Sequence, residues 1–271
     1  MVTTKFAEVD SFDEALKTLM EETLEFNVND PMKLEELNKV LCIEPHPDDC
    51  VIGMGGTIKK LTDMGIEVEY LCMTDGSMGT TEATEELSPH ELAIVRRKEE
   101  EESARMLGVE RIIWLDYTDM HLPYSIEVRN KIIEVIRREK PDVVALPDPW
   151  LPYESHPDHR NTGFVGLDAV AAASLPNVLE VGPAPHSVVA VAFYYTHKPT
   201  YFVDIGDVME LKLKAIRVHK SQFPDSIWQQ WEPFLRTVAL YYGKKMGVKY
   251  AEGLRILPGL FLHITPFAGE L

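Results

Sequence analysis

The 271-residue sequence is poor in cysteine and in positive charge, and it has no long apolar run. Its three cysteines, Cys42, Cys50 and Cys72, form no CxxC pair and no even framework. A zinc finger and a disulfide-stapled scaffold are thereby excluded. Cys42 and Cys72 fall inside apolar strand-like runs, where cysteine acts as a small buried hydrophobe. Twenty-seven basic residues stand against 44 acidic ones, a net charge of −17. Binding to nucleic acid or to an anionic membrane needs clustered Lys and Arg, so both are excluded as partners. The same field disfavours strongly acidic substrates and leaves a neutral or cationic small molecule. No apolar stretch approaches the ~20 residues of a membrane span, and no secretory segment precedes the first domain element. The expectation is a cytoplasmic protein with no membrane partner.

What the sequence does contain is the segment Leu41-Cys42-Ile43-Glu44-Pro45-His46-Pro47-Asp48-Asp49. Each proline pushes the residue before it towards extended geometry, so the chain stays strand-like through His46. A glycine-rich helix over 51–61 follows. Asp48 and Asp49 then sit at its N-terminus, where the dipole favours ionised carboxylates. The stretch His156-Pro157-Asp158-His159 repeats the pattern after a proline-studded loop.

Around these two motifs, apolar strands alternate with helices. Strands are expected over 40–44, 67–74, 111–115, 141–146, 188–195 and 201–205. Helices are expected over 88–107, 125–139, from His156 to about 174, 207–219 and 232–246. This alternation predicts an α/β fold, a Rossmann-like, mostly parallel sheet with helices on both faces. No repeat or low-complexity linker divides the chain, so residues 1–271 read as one domain. A capping box at Ser11-Phe12-Asp13-Glu14 adds an appended N-terminal helix over 11–26. The glycine loop Asp75 to Gly79 lacks a Lys-Ser/Thr pair and fits neither nucleotide fingerprint.

In open α/β sheets, sites form beyond the C-terminal ends of strands, and both His-Pro-Asp motifs fall there. One such motif alone would be a loop with a helix N-cap. Two of them at two strand ends point to a shared site. Two imidazoles and a carboxylate, His46, His159 and Asp49, make an open catalytic zinc site with a fourth position for water. Asp48 is the candidate base, a role worth ~100-fold or more. His156 could hydrogen-bond a developing oxyanion or protonate a leaving amine, with Asp158 holding its ring. The other histidines, His90, His121, His186, His197, His219 and His263, read as surface, satisfied core or interface residues. Trp150 and Tyr153 could stack on sugar faces.

Pro45-His46-Pro47-Asp48-Asp49 and His156-Pro157-Asp158-His159 resemble the two signature motifs of the PIG-L/LmbE-type zinc N-deacetylases. Arg96-x-x-Glu99 with Ala104 and Leu107-Gly108 resembles that family's arginine helix. Asp119 fits the acid of its next loop, and Tyr250-Ala251-Glu252 its closing segment. One departure is Cys50, where the family has an acid. The resemblance implies Zn2+ held by His46, Asp49 and His159, and Asp48 as general base. It further implies an oxyanion-stabilising His156 oriented by Asp158, and Arg96 and Asp119 on sugar hydroxyls. It implies an N-acetylated amino-sugar substrate, the non-reducing GlcNAc of diacetylchitobiose, and a homo-oligomer, a hexamer. Three other readings compete: a deacetylase of a GlcNAc conjugate in thiol biosynthesis, a non-haem iron oxygenase, and a non-catalytic metal-containing sugar-binding protein.

Overall fold

The protein is represented by a computed structural model, and the residues described are 37–109, 111–263, 265 and 268. The helix expected over 11–26 lies outside them. The compact unit Asn38–Leu271 carries everything that follows.

Six of its seven strands form where the apolar runs predicted them. The seven are β1 (Lys39–Glu44), β2 (Glu67–Thr74), β3 (Arg111–Tyr117), β4 (Val143–Pro147) and β5 (Ala190–Tyr194), with β6 (Tyr201–Asp204) and β7 (Ala251–Pro258) at the far side. The sheet order is β3-β2-β1-β4-β5-β7-β6. The first five in that order are parallel; β7 runs antiparallel to both β5 and β6. β1, β2 and β4 are apolar almost throughout because helices cover both faces of the sheet.

Six helices connect them: α1 (Asp49–Asp63), α2 (Pro89–Met106), α3 (Ile126–Glu139), α4 (Pro157–Ala173), α5 (Met209–Ile216) and α6 (Asp225–Met246). Local chemistry sets their ends. Ser88 and Glu91 close a capping box on α2, with Pro89 in the first turn. Ser125 caps α3 by accepting from Val128 N. Gly247, at φ 76°, ends α6 in the left-handed conformation. Leu41, Ile43, Leu71, Met73, Val144 and Leu146 of the sheet bury against Ile132 and Ile136 of α3 and Val165 and Ala169 of α4.

Two elements depart from expectation. α6 begins at Asp225 and carries Pro233 inside it, rather than starting near Glu232. Aromatic packing holds the extra turns: the Phe223 ring lies 5.3 Å from Trp231 and 6.2 Å from Trp228. β7 was not foreseen, because Glu252 and Arg255 interrupt its apolar pattern. Glu252 is buried there and accepts from Gly56 N, Thr57 N, Thr57 Oγ1 and Lys212 Nζ. Among the described residues, no helix is long and apolar enough to cross a membrane.

The chain returns from β3 to the other side of β1 as β4. The C-terminal ends of β1 and β4 therefore face one crevice at the point where the strand order reverses.

Candidate metal centre

The first half of the site is the turn from β1 into α1. Pro45 and Pro47 bracket His46, and Asp49 opens the helix. Asp49 Oδ2 accepts from His46 N at 3.0 Å and lies 3.2 Å from His46 Nδ1. The other ring nitrogen, Nε2, faces Asp119 Oδ1 at 3.1 Å and Asp158 Oδ2 at 3.3 Å. The second half is the loop from β4 into α4. His156 is the N-cap of α4, and its Nδ1 accepts from Asp158 N at 3.3 Å. One turn on, His159 Nε2 lies 3.5 Å from the same Asp49 Oδ2, and its Nδ1 lies 3.5 Å from Glu154 Oε2. The ring centroids of His46 and His159 are 5.2 Å apart. Nitrogens of His46, His156 and His159 gather within 4.8 Å of one another, as do ligand atoms of His46, Asp119, His156 and Asp158.

Asp49 belongs to neither of these groups; it meets His46 and His159 one at a time, at distances that suit a small divalent ion. Four ligands at about 2.0 Å in a tetrahedron lie roughly 3.3 Å from each other. The 3.2 and 3.5 Å separations around Asp49 Oδ2 are of that size. Each ring also has a carboxylate at its far nitrogen: Asp119 and Asp158 for His46, Glu154 for His159. Such partners fix the tautomer that leaves a lone pair for a metal. Asp158 can do so firmly, since it also accepts from Met120 N at 2.7 Å and Leu122 N at 3.1 Å.

The charges reinforce one another. Burial opposes ionisation of Asp49, but its charge interaction with His159 and hydrogen bonds from His46 outweigh it and hold the carboxyl far below its usual range. Burial works against a charged His46 too, yet its bonds to Asp119, Asp158 and Asp49 raise its pKa well above normal. Asp119 is held down to about 2: burial pushes the other way, and the His46 hydrogen bond wins. His156 shifts downward through burial and its charge interactions with His46 and His159. With Nδ1 accepting from a backbone N–H, neutral His156 carries its proton on Nε2.

Asp48 stands at φ 135°, a conformation rarely held by a residue with a side chain. Its Oδ2 accepts from Arg96 Nη2 at 3.1 Å. Arg96 also donates to Pro47 O at 2.9 Å and to Gly76 O at 3.0 Å, and is only 3% exposed. Burial pushes Asp48 up to about 7, Arg96 pulling it down and Asp49 adding to the rise. The 75–79 loop wraps this arginine. A Cβ on Gly76 would come within 2.7–2.9 Å of the guanidinium, so the glycines are there for close approach.

The PIG-L family model, described as GlcNAc-PI de-N-acetylase, matches residues 41–170, from β1 through most of α4. A diacetylchitobiose deacetylase from Thermococcus kodakarensis is 60% identical over 267 residues, covering 97% of this chain and 98% of the relative. The chain belongs to the PIG-L family. An N,N′-diacetylchitobiose deacetylase from Pyrococcus horikoshii, solved with its inhibitor MPG, superposes with a TM-score of 0.91 at 62% identity, over 97% of this chain and 99% of that one. A probable N-acetyl-α-D-glucosaminyl L-malate deacetylase 2 from Bacillus cereus is 31% identical over 192 residues, 68% of this chain and 83% of the relative.

In this PIG-L member the eight residues singled out by sequence converge, with some contacts redistributed. Asp158 meets His156 through its backbone N–H, while its carboxylate faces His46. Arg96 and Asp119 are both buried; Asp119 Oδ2 accepts from Met78 N. Tyr153 is fully exposed, and Trp150 packs edge-on to Phe164 and Phe193 beside a separate cavity of about 710 Å³. Sequence reasoning missed three neighbours. Glu154, in the proline loop, backs His159. Tyr195 stacks on His159, rings 6.0 Å apart, and donates to Asp49 O and Oδ1 at 3.2 and 3.3 Å. Glu44 accepts from Cys50 N at 3.0 Å, so a carboxylate still reaches the residue where the family's acid is missing. Of these, only Glu44 had a signal, an acid ending an apolar strand.

Proposed function

We propose that this chain is a zinc-dependent amidohydrolase that removes the N-acetyl group from the non-reducing GlcNAc of diacetylchitobiose. One observation carries the reading: His46 and His159, from motifs over a hundred residues apart, face a single oxygen of Asp49, with Asp48 beside it. The two diacetylchitobiose deacetylases at 60% and 62% identity support the substrate.

His46, Asp49 and His159 would hold the ion. When bound, it supplies Lewis acidity to water and to the acetyl carbonyl. Asp48 takes a proton from the attacking water and later returns it towards the leaving amine. A carboxyl near neutral pKa is matched to that work. Arg96 fixes one of its oxygens, so the other is aimed at the cleft. His156 donates from Nε2 to the developing oxyanion. Arg96 and Asp119 border the sugar hydroxyls. The acyl carbon gains the water oxygen, the C–N bond breaks, and acetate and a free amine leave.

The test is acetate release from N,N′-diacetylchitobiose by metal-loaded protein, with and without chelator. Release that chelator abolishes and Zn2+ restores is expected; none from loaded protein overturns the reading. The Bacillus relative motivates a second substrate arm, N-acetylglucosaminyl malate, and faster release there would move this chain to thiol biosynthesis. Turnover with zinc under anaerobic conditions excludes the iron oxygenase, and any turnover excludes a non-catalytic sugar binder.

We also infer a homo-hexamer in the cytoplasm. Three buried free cysteines suit a reducing compartment. Phe234, Leu240 and Tyr241 leave apolar surface exposed on α6 for a neighbouring subunit. Light scattering at a mass other than six chains would reject the hexamer.

A further inference from the structure

We infer that Gln222 is a positioning residue for catalysis, acting from outside the cleft through the glycine loop and Arg96 on Asp48. The inference rests on Asp48 being the base. The segment 219–222, after α5, makes no hydrogen bond to His46, Asp49 or His159, yet it is tied to the glycine loop and to α2 on either side of Arg96. Gln222 Nε2 donates to Gly79 O at 2.7 Å. Ser221 donates to Glu99 of α2 from Oγ at 2.5 Å and from N at 2.9 Å. Thr81 Oγ1, just beyond the loop, donates to Ser221 O at 2.7 Å. His219 stands 3.5 Å from Glu100, both fully buried. One short segment thus pins the loop on one side of Arg96 and α2, which carries it, on the other.

Arg96 needs that support. Its Nε has no hydrogen-bond partner among the described residues, so its pose depends on Nη1 and Nη2. Nη1 has Gly76 O as acceptor, on the loop itself. A Cβ on Gly79 would meet both Arg96 Nη1 at 2.7 Å and Gln222 Oε1 at 2.8 Å, so the loop lies against the arginine and against the glutamine at the same residue. Met78 N of the same loop donates to Asp119, which faces His46. Gln222 is half-buried, and one amide donor is what it gives the loop. Without that donor the loop lifts, the guanidinium turns, and the Asp48 carboxylate loses its fixed direction. A misplacement of about 1 Å in such a group can cost up to ~100-fold in rate.

The test uses Gln222→Met, which keeps the volume and removes the donor, and Gln222→Glu, which sets an acceptor against Gly79 O. Expected in both is a fall in kcat of about tenfold with metal content kept and KM changed by less than kcat, Arg96 and Asp119 also bordering the sugar. In an Asp48→Asn background the same changes should cost nothing further, because they act through the lost base. Unchanged kcat, a loss carried by KM, or an equal loss in the Asp48→Asn background overturns the inference. A crystal structure of Gln222→Met decides it without substrate: the Arg96–Asp48 contact of 3.1 Å should open, and an intact contact overturns the inference. A wild type that releases no acetate would sink the deacetylase reading alone, since that contact can still be measured.

Discussion

Asp48 combines an unfavourable backbone, φ 135°, with a buried carboxyl, and both are offset by contacts around it. Asp48→Asn keeps the size and the approach to Arg96 and removes the proposed base. The expected outcome is full metal content with turnover lowered ~100-fold or more, checked by metal analysis and acetate release. Wild-type turnover would remove Asp48 from the mechanism. Glu100 and His219 matter for stability instead. Burial raises Glu100 well above its ordinary 4.5, Glu44 and Asp48 adding to the rise. Burial lowers His219 from 6.5 to about 3. The folded protein thus prefers both neutral, with opposite consequences. Below pH 4.5 Glu100 is protonated folded and unfolded and costs nothing. Above it only the unfolded chain ionises, and stability falls by about 1.4 kcal/mol per pH unit until the folded pKa is reached. His219 costs stability as pH falls from 6.5 towards 3. Glu100→Gln should therefore gain on wild type as pH rises from 5 to 7, by on the order of 3 °C in Tm per unit. A pH-independent Tm difference would show Glu100 charged in the fold. His219 is also where the surface-or-satisfied-core expectation fails: it is buried, and neither nitrogen has a hydrogen-bond partner among the described residues.

At the scale of elements, α1 shows why glycine content in a helix need not mean a weak helix. Gly56 faces β7 and the turn before α5; a Cβ there would lie 2.5 Å from Ile205 Cγ2 and 3.1 Å from Glu252 Oε1. Both neighbours are buried and held, so neither can move aside cheaply. Gly56→Ala, favourable by propensity alone, is expected to destabilise by about 1–3 kcal/mol in denaturant unfolding. A gain in stability would mean that α1 docks more loosely. The caps of α2 and α3 and the runs of β1, β2 and β4 were legible, since they depend on residues within a few positions. The start of α6 and all of β7 were not. Their signals, Pro233 and the charged pair Glu252 and Arg255, argue locally against the structure that distant partners permit.

On the scale of the whole molecule, the proposed metal would join the two halves of the sheet's crevice. On the proposed ligand set, stripping it would leave Asp49, His46 and His159 gathered but without the ion that would draw them together. At free zinc 1,000-fold above Kd, binding contributes about 4 kcal/mol. Calorimetry should show a Tm for the zinc-loaded protein on the order of 10 °C above the stripped one. Asp49→Asn should lose that difference; if it does not, the ion sits elsewhere, among His46, Asp119, His156 and Asp158.

The sequence by itself determined the alternation of strand and helix, the strand-end placement of both His-Pro-Asp motifs and the identity of the eight clustered side chains. These follow from hydrophobic period, proline geometry and capping, which act over a few residues. Tertiary structure alone decided which carboxylate serves which ring, that Arg96 is engaged with Asp48, that Glu154 and Tyr195 border the site, and that Gln222 backs the loop around Arg96. Hydrogen-bond partners and burial depend on how loops from β1, β2, β3 and β4 meet across the sheet, and no local spacing carries that distance.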